Sequence, residues 1–290
     1  MSERWDAGCM ASRPRTLYVS DLDRTLLRSD ASVGAESVRL LNAAIDSGAL
    51  FTYATARSFL SSRRATRALR LGVPVITYGG AVTADPGTGK EADVRLLGDG
   101  AVSSALRASD EHASAEPILF TFEDGRDWVR WRPERVTVGV RAFLDARPAD
   151  PRLRPITDAD PLDAAAVFYV SILSDRATLT TLREVLRPSL TGAAHFLSAD
   201  LATPGLDWLE FHHAEGTKAE AVRRVMAELG AERLVVFGDG HNDLPMFEIA
   251  DESYAVANAI PEVREAATGI IDDHERDAVA RWIADDLRAR

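Results

Sequence analysis

The sequence predicts an α/β protein, a doubly wound parallel sheet with a second α/β unit inserted into it. Three observations carry this. Short, partly β-branched apolar runs alternate with amphipathic helical stretches in both end regions of the chain. Such alternation implies parallel strands joined by right-handed crossovers. The rhythm changes after Gly79-Gly80 and returns near Gly216, which marks the intervening stretch as a separate unit. Polar residues also gather where the predicted strands end, and open parallel sheets bind ligands outside those ends.

Leu17-Tyr18-Val19 is the first buried strand and ends in Ser20-Asp21-Leu22-Asp23. A helix follows over 36–47, with Val38, Leu41 and Ile45 on one face and Gly48 as its stop. Strands are expected over 50–53 and 73–77, with a helix over 63–71 between them. Asp85-Pro86-Gly87-Thr88-Gly89 is a hairpin turn. The stretch over 101–211 mixes helices with strands at 118–122, 128–131 and 167–173, punctuated by Pro148, Pro151, Pro155 and Pro161. Gly216-Thr217 opens a helix with Val222, Val225, Met226 and Leu229 on one side, stopped by Gly230. A strand over 234–237 runs into Gly238-Asp239-Gly240-His241-Asn242-Asp243, and a helix begins near Leu244. A strand over 254–257, a helix starting at Pro261, a strand at Ile270-Ile271 and a helix over 277–287 complete the chain. The expected division is a core of residues 1–84 and 212–290 with an insertion over 85–211.

Composition narrows the function classes. The chain has 290 residues, 46% hydrophobic and 27% charged, with a net charge of -11. An acidic balance argues against nucleic-acid or anionic-membrane partners, which need a basic face. An anionic substrate stays possible where a cation reverses the local field. Cys9 is the single cysteine, so no disulfide forms within the chain. No apolar run approaches the roughly 20 residues of a membrane span. The residues before Thr16 are expected to be a loose tail without signal-peptide character, which makes the cytoplasm the default location.

Four polar signals lie at or beside strand ends. Asp21 and Asp23 would repel unless a cation or shared proton joined them, and such a pair can divide into nucleophile and acid/base. A turn or N-cap role is the competing reading. Glycines flank Asp239 and allow close approach, and a hard cation such as magnesium takes carboxylate oxygens. Asp239 is the preferred ligand; Asp243 either joins the metal shell or caps the next helix. Thr55, after the second core strand, either binds a phosphate oxygen or caps a helix. Lys218 begins a helix, where it either neutralises charge or is simply solvated. Trp128, Arg130, Trp131 and Arg132 could contact a polar substrate, although strand alternation favours packing. No third ligand completes a metal site at His212 and His213.

With these signals in this order, the chain resembles the haloacid dehalogenase superfamily of phosphatases. The matching motifs are Asp21-Leu22-Asp23-Arg24-Thr25, Ala54-Thr55-Ala56-Arg57, Lys218, and Gly238-Asp239-Gly240-His241-Asn242-Asp243. Asn242-Asp243-Leu244-Pro245-Met246 and Val256-Ala257-Asn258-Ala259 narrow the resemblance to the Cof-like branch with a large α/β cap (type IIB), which includes sucrose-phosphate phosphatase relatives. The resemblance implies a Rossmann-like core with the cap inserted between the second and third motifs. It implies a phospho-aspartate on Asp21, with Asp23 protonating the leaving alcohol and then activating water. It implies magnesium held by Asp21, the Asp23 carbonyl and Asp239, with Asp243 nearby. Thr55, Ala56, Arg57, Lys218 and Asn242 would surround the phosphate. The implied substrate is a small phosphorylated metabolite, with a sugar phosphate favoured, and the implied state is a monomer or small homo-oligomer. Arg24, Ala56, Tyr78, His241, His274 and Ala278 depart from the usual pattern. Of these, Arg24, Tyr78 and His241 are candidates to reshape the pocket mouth or cap hinge, against a neutral packing role.

Two alternatives share the motifs: a phosphoryl transferase or mutase using the same intermediate, and a non-catalytic ligand sensor. A dinucleotide binder is disfavoured because no Gly-x-Gly-x-x-Gly follows the first strand.

Overall fold

The protein is described from a computed structural model covering residues 14–123, 125–200 and 203–289. Cys9 and the expected tail up to residue 13 lie outside these residues. The core sheet contains β1 (Thr16–Ser20), β2 (Leu50–Tyr53), β11 (Arg233–Gly238), β12 (Glu252–Val256) and β13 (Gly269–Ile271). All are parallel, in the order β13-β12-β11-β1-β2. β3 (Val75–Thr77) reaches this sheet through a parallel bridge between Ala54 and Ile76. Every β1 residue is buried, as central strands covered on both faces require.

The core helices are α1 (Ala35–Asp46), α2 (Phe59–Thr66), α6 (Lys218–Leu229), α7 (Leu244–Ile249), α8 (Pro261–Ala266) and α9 (Ala278–Ala289). Leu41 of α1, Val222 and Val225 of α6 and Ile283 of α9 bury their side chains against β1 and β11 residues. Helix α6 ends where expected, at Gly230 in the left-handed conformation. One expectation shifts. The helix placed over 63–71 runs instead over Phe59–Thr66, because the Ser58 side chain accepts from Ser61 N and caps it at 3.3 Å.

β4 (Val82–Ala84) and β5 (Glu91–Val94) extend β3 into a small antiparallel sheet. The predicted turn joins them, with Asp85 Oδ1 accepting from the amides of Gly87 and Thr88. The cap is a five-stranded antiparallel sheet ordered β7-β6-β8-β10-β9. Its strands are β6 (Pro117–Glu123), β7 (Arg126–Arg130), β8 (Val167–Ser174), β9 (Ala193–Ala199) and β10 (Asp207–His213). Helices α3 (Asp99–Glu111), α4 (Val138–Asp145) and α5 (Arg176–Leu186) accompany it. The architecture is thus a parallel α/β core with a mixed α/β cap.

Tyr78 ties the two parts. It follows β3 with a positive φ of 50°. Its ring packs edge-on against Phe120 and Phe168 of the cap sheet. Its hydroxyl donates to Asp127, and Arg152 Nη1 donates to that hydroxyl at 2.6 Å. Gly80 sits where the outgoing and returning chains touch. Its φ is +112°, and a Cβ there would come within 2.2 Å of the Thr217 backbone. Gly80→Ala should therefore cost at least about 2 kcal/mol, read as a lower urea midpoint at unchanged slope.

Candidate active site

Asp21 leaves the end of β1, and its amide donates to Phe237 O of β11 at 2.9 Å. Lys218 opens α6, whose first turn is capped by the Thr217 hydroxyl. The Lys218 ammonium donates to Asp21 Oδ1 at 2.6 Å and to Asp243 Oδ1 at 2.8 Å. All three side chains are buried. A buried ammonium between carboxylates has its pKa held above the usual lysine range, because the two negative charges outweigh its own desolvation.

Asp243 does not cap α7 with its side chain. Its second oxygen accepts from the amides of Asp239 and Gly240, each at 3.0 Å. It thereby fixes the loop after β11. Gly238 is required there, since a Cβ would lie 2.6 Å from the Asp243 Cβ. Asp239 accepts from the Thr25 hydroxyl at 3.2 Å. Asp21, Asp239 and Asp243 each place a carboxylate oxygen within 4.8 Å of the others. The three carboxylates outnumber the cations beside them, the Lys218 ammonium and the Arg24 guanidinium 3.8 Å from Asp239, so a bound cation would offset the excess. An all-oxygen donor set of this kind fits magnesium. Burial, opposed by Lys218, leaves the Asp21 carboxyl well above the ordinary range. Asp239 is raised to about 6 by burial and then by Asp243.

Thr55 is buried just beyond β2. Its amide donates to Ile76 O, and its carbonyl accepts from Gly79 N. It caps no helix, because Ser58 does that; its hydroxyl accepts from Arg57 N at 3.2 Å. Ala56 is exposed beside it. Asp23 is exposed, outside the acidic triad, and clamped by Arg57, whose Nε donates to its Oδ2 at 2.8 Å. Asn242 and His241 are exposed on the turn before α7. Arg24 holds a φ of 59°, with its carbonyl accepting from Asn258 Nδ2 at 2.8 Å and its guanidinium 3.8 Å from Asp239.

A cavity of about 820 Å3 opens between these loops and the cap. Asp23, Ala56 and Arg57 line its core side; Tyr169, Trp208 and Glu210 line its cap side. Tyr78 lines it too, whereas His241 does not. Trp128, Arg130, Trp131 and Arg132 are absent from its walls. Arg130 is fully buried against Glu123 and Asp160, and Arg132 is paired with Glu116 and Asp110. Alternation along β10 was the available sequence signal for Trp208 and Glu210. His212 stacks on Tyr169 rather than joining a metal cluster among the described residues.

Comparison with known proteins gives the family. Residues 18–283 match the family described as haloacid dehalogenase-like hydrolase. The chain belongs to that family. A 5-amino-6-(5-phospho-D-ribitylamino)uracil phosphatase of Bacillus subtilis, YwtE, is 26% identical over 289 residues, covering 91% of this chain and 95% of that one. A haloacid dehalogenase-like hydrolase from Bacteroides thetaiotaomicron shares the fold with a TM-score of 0.75 at 20% identity, covering 93% of this chain and 99% of the other. A sugar phosphatase of subclass IIB aligns with a TM-score of 0.69 at 17% identity, over 94% and 99% of the two chains. This member of the haloacid dehalogenase-like family is a hydrolase. Among its described residues, no helix is long and apolar enough to cross a membrane.

Two outcomes follow for the site. Lys218→Met should lower stability by about 3–5 kcal/mol in denaturant titration, because it leaves Asp21 and Asp243 facing each other uncompensated. The second concerns acidity. Without metal, Asp239 holds a proton in the folded state up to about pH 6. The unfolded carboxyl loses its proton near pH 4. Metal-free stability should therefore fall as pH rises between those values, by an amount on the order of 2 kcal/mol. Mg2+ favours the charged carboxylates, so it should raise the melting temperature clearly at pH 7.5 and little at pH 5. Equal stabilisation at both values would contradict this assignment.

Proposed function

We propose that this hydrolase is a magnesium-dependent phosphatase that cleaves a small phosphate monoester through a phospho-aspartate on Asp21. The observation that carries the reading is the buried Lys218 bridging Asp21 and Asp243 beside Asp239. In this reading residues 1–84 and 212–290 form the catalytic core, and residues 85–211 the cap that closes on it.

Asp21, Asp239 and Asp243 would hold Mg2+, together with Asp23 through its backbone carbonyl. When bound, Mg2+ supplies positive charge that screens the carboxylates from the phosphate and stabilises the transferring group. The Asp21 carboxylate attacks phosphorus; an O–P bond forms as the ester O–P bond breaks. Asp23 passes a proton to the leaving oxygen, releasing the alcohol. It then takes a proton from water as that water attacks the phospho-aspartate, which regenerates Asp21 and frees phosphate. Lys218 holds Asp21 in place and offsets charge as it builds. Thr55, Ala56, Arg57 and Asn242 surround the phosphate. Arg57 has a second duty: it holds the Asp23 carboxylate, which must be freed for proton transfer. A phosphate group competing for the guanidinium provides that release.

A sugar phosphate is the favoured substrate, supported by the structural likeness to a subclass IIB sugar phosphatase and by the capacity of the cavity. The test is phosphate release from 4-nitrophenyl phosphate with Mg2+ or with chelator. Activity should require Mg2+ and vanish in Asp21→Asn. Asp23→Asn should slow turnover about 10²–10⁴-fold, the usual contribution of a positioned acid/base. Release that survives Asp21→Asn would sink the mechanism.

A further inference from the structure

Tyr78 belongs to the core by its main chain and to the cap by its side chain. Its amide donates to Arg57 O at 3.0 Å, and the next amide, that of Gly79, donates to Thr55 O at 2.9 Å. These two carbonyls flank Ala56, so the short loop that carries Thr55 and Arg57 is held from residues 78 and 79. The Tyr78 ring packs against Phe120, Phe168 and Tyr169 of the cap sheet. Its hydroxyl donates to Asp127 of β7. Arg152, on the chain between α4 and β8, donates from Nη1 to that hydroxyl at 2.6 Å and to Asp127 Oδ2 at 2.7 Å. Its Nη2 donates to Asp150 at 2.6 Å, so Arg152 keeps ion-pair partners of its own. The φ of 50° at Tyr78 lies in the left-handed region, which is strained for a bulky residue. Such strain persists only where the surroundings over-determine it. The hydroxyl partners and the rings that hold this side chain lie on the cap.

We propose that Tyr78 is a positioning residue that makes the seating of the cap a condition for the order of the Thr55–Arg57 loop. Without its partners on the cap, the strained backbone at Tyr78 relaxes. The amides of residues 78 and 79 then turn away from the Arg57 and Thr55 carbonyls. Arg57 loses the fixed base from which its guanidinium holds Asp23 at 2.8 Å. The coupling itself needs no assumption about the reaction. Its consequence rests on the phosphatase reading above: Asp23 is placed to pass its proton only while the cap encloses the cavity and keeps bulk water out. Asp127 does not line that cavity, whereas Tyr78 and Arg152 do. An effect of Asp127 on the loop therefore travels through the residues it holds.

Amide hydrogen exchange of the full chain tests the coupling without any substrate. Tyr78→Phe keeps the ring and removes the hydroxyl; Asp127→Asn keeps the volume and removes the charge. In each, the amides of residues 78 and 79 should exchange at least about fivefold faster, the loss of one hydrogen bond's net contribution, while those of β1 and β11 stay unchanged. Unchanged exchange at residues 78 and 79 overturns the proposal. Equal acceleration of all amides, or failure of both variants to fold, marks these residues as merely structural and overturns it too. Turnover reads the consequence. An alkyl phosphate needs the Asp23 proton for its leaving oxygen far more than 4-nitrophenyl phosphate does. The ratio of kcat/KM for ethyl phosphate to that for 4-nitrophenyl phosphate should therefore fall about fivefold in both variants, whereas a structural defect lowers both values together. In an Arg57→Ala background Tyr78→Phe should leave the ratio unchanged, and an effect of full size there overturns the route through Arg57. Faster exchange in a protein that hydrolyses neither ester would sink the phosphatase reading and leave the coupling standing.

Discussion

Lys218 lies buried between Asp21 and Asp243, and much of the core's geometry depends on that contact. Three pieces of chain meet there: the end of β1, the loop after β11 and the first turn of α6. Desolvation alone would drive protons onto the carboxylates or the charges apart. The ammonium cancels part of that cost, and Asp243 spends its other oxygen on the amides of Asp239 and Gly240. The loop that presents Asp239 is therefore held by the same carboxylate that anchors the lysine. The carboxylates still outnumber the cations around them, Lys218 and Arg24, and the three place oxygens close enough together to hold a metal ion.

Parts of this were legible in the sequence because their causes are local. Gly48 and Gly230 stop helices, and both adopt positive φ where α1 and α6 end. The apolar run at Leu17 is a strand buried along its whole length. The acidic and glycine-rich ends of β1 and β11 met because the strands that carry them are neighbours. What sequence left open was settled by partners far away in the chain. Asp243 could have capped a helix, and Lys218 could have been solvated; each is decided by the other. Thr55 could have capped α2 until Ser58 did so.

The cap was the least legible part. Its strands are antiparallel and joined out of order, so adjacency in sequence says little about adjacency in space. Arg130 and Arg132 draw attention as cationic residues near tryptophans, yet they serve buried ion pairs. The cavity wall comes instead from alternate positions of β8 and β10, whose meaning depends on which sheet face meets the core. Tyr78 makes that orientation definite by placing a residue of the connecting segment among the cap's aromatic rings.

The clamp of Arg57 on Asp23 belongs to an uneven distribution of charge. Between Asp46 and Asp85 the chain contains Arg57, Arg63, Arg64, Arg67 and Arg70 and no acidic residue, although the whole molecule is strongly acidic. Arg57 and Arg64 both border the cavity. An approaching anion is thus repelled by most of the surface and drawn towards one flank of the entrance. Encounter becomes directional, and its speed becomes sensitive to ionic strength, because salt weakens repulsion and guidance alike beyond about 10 Å.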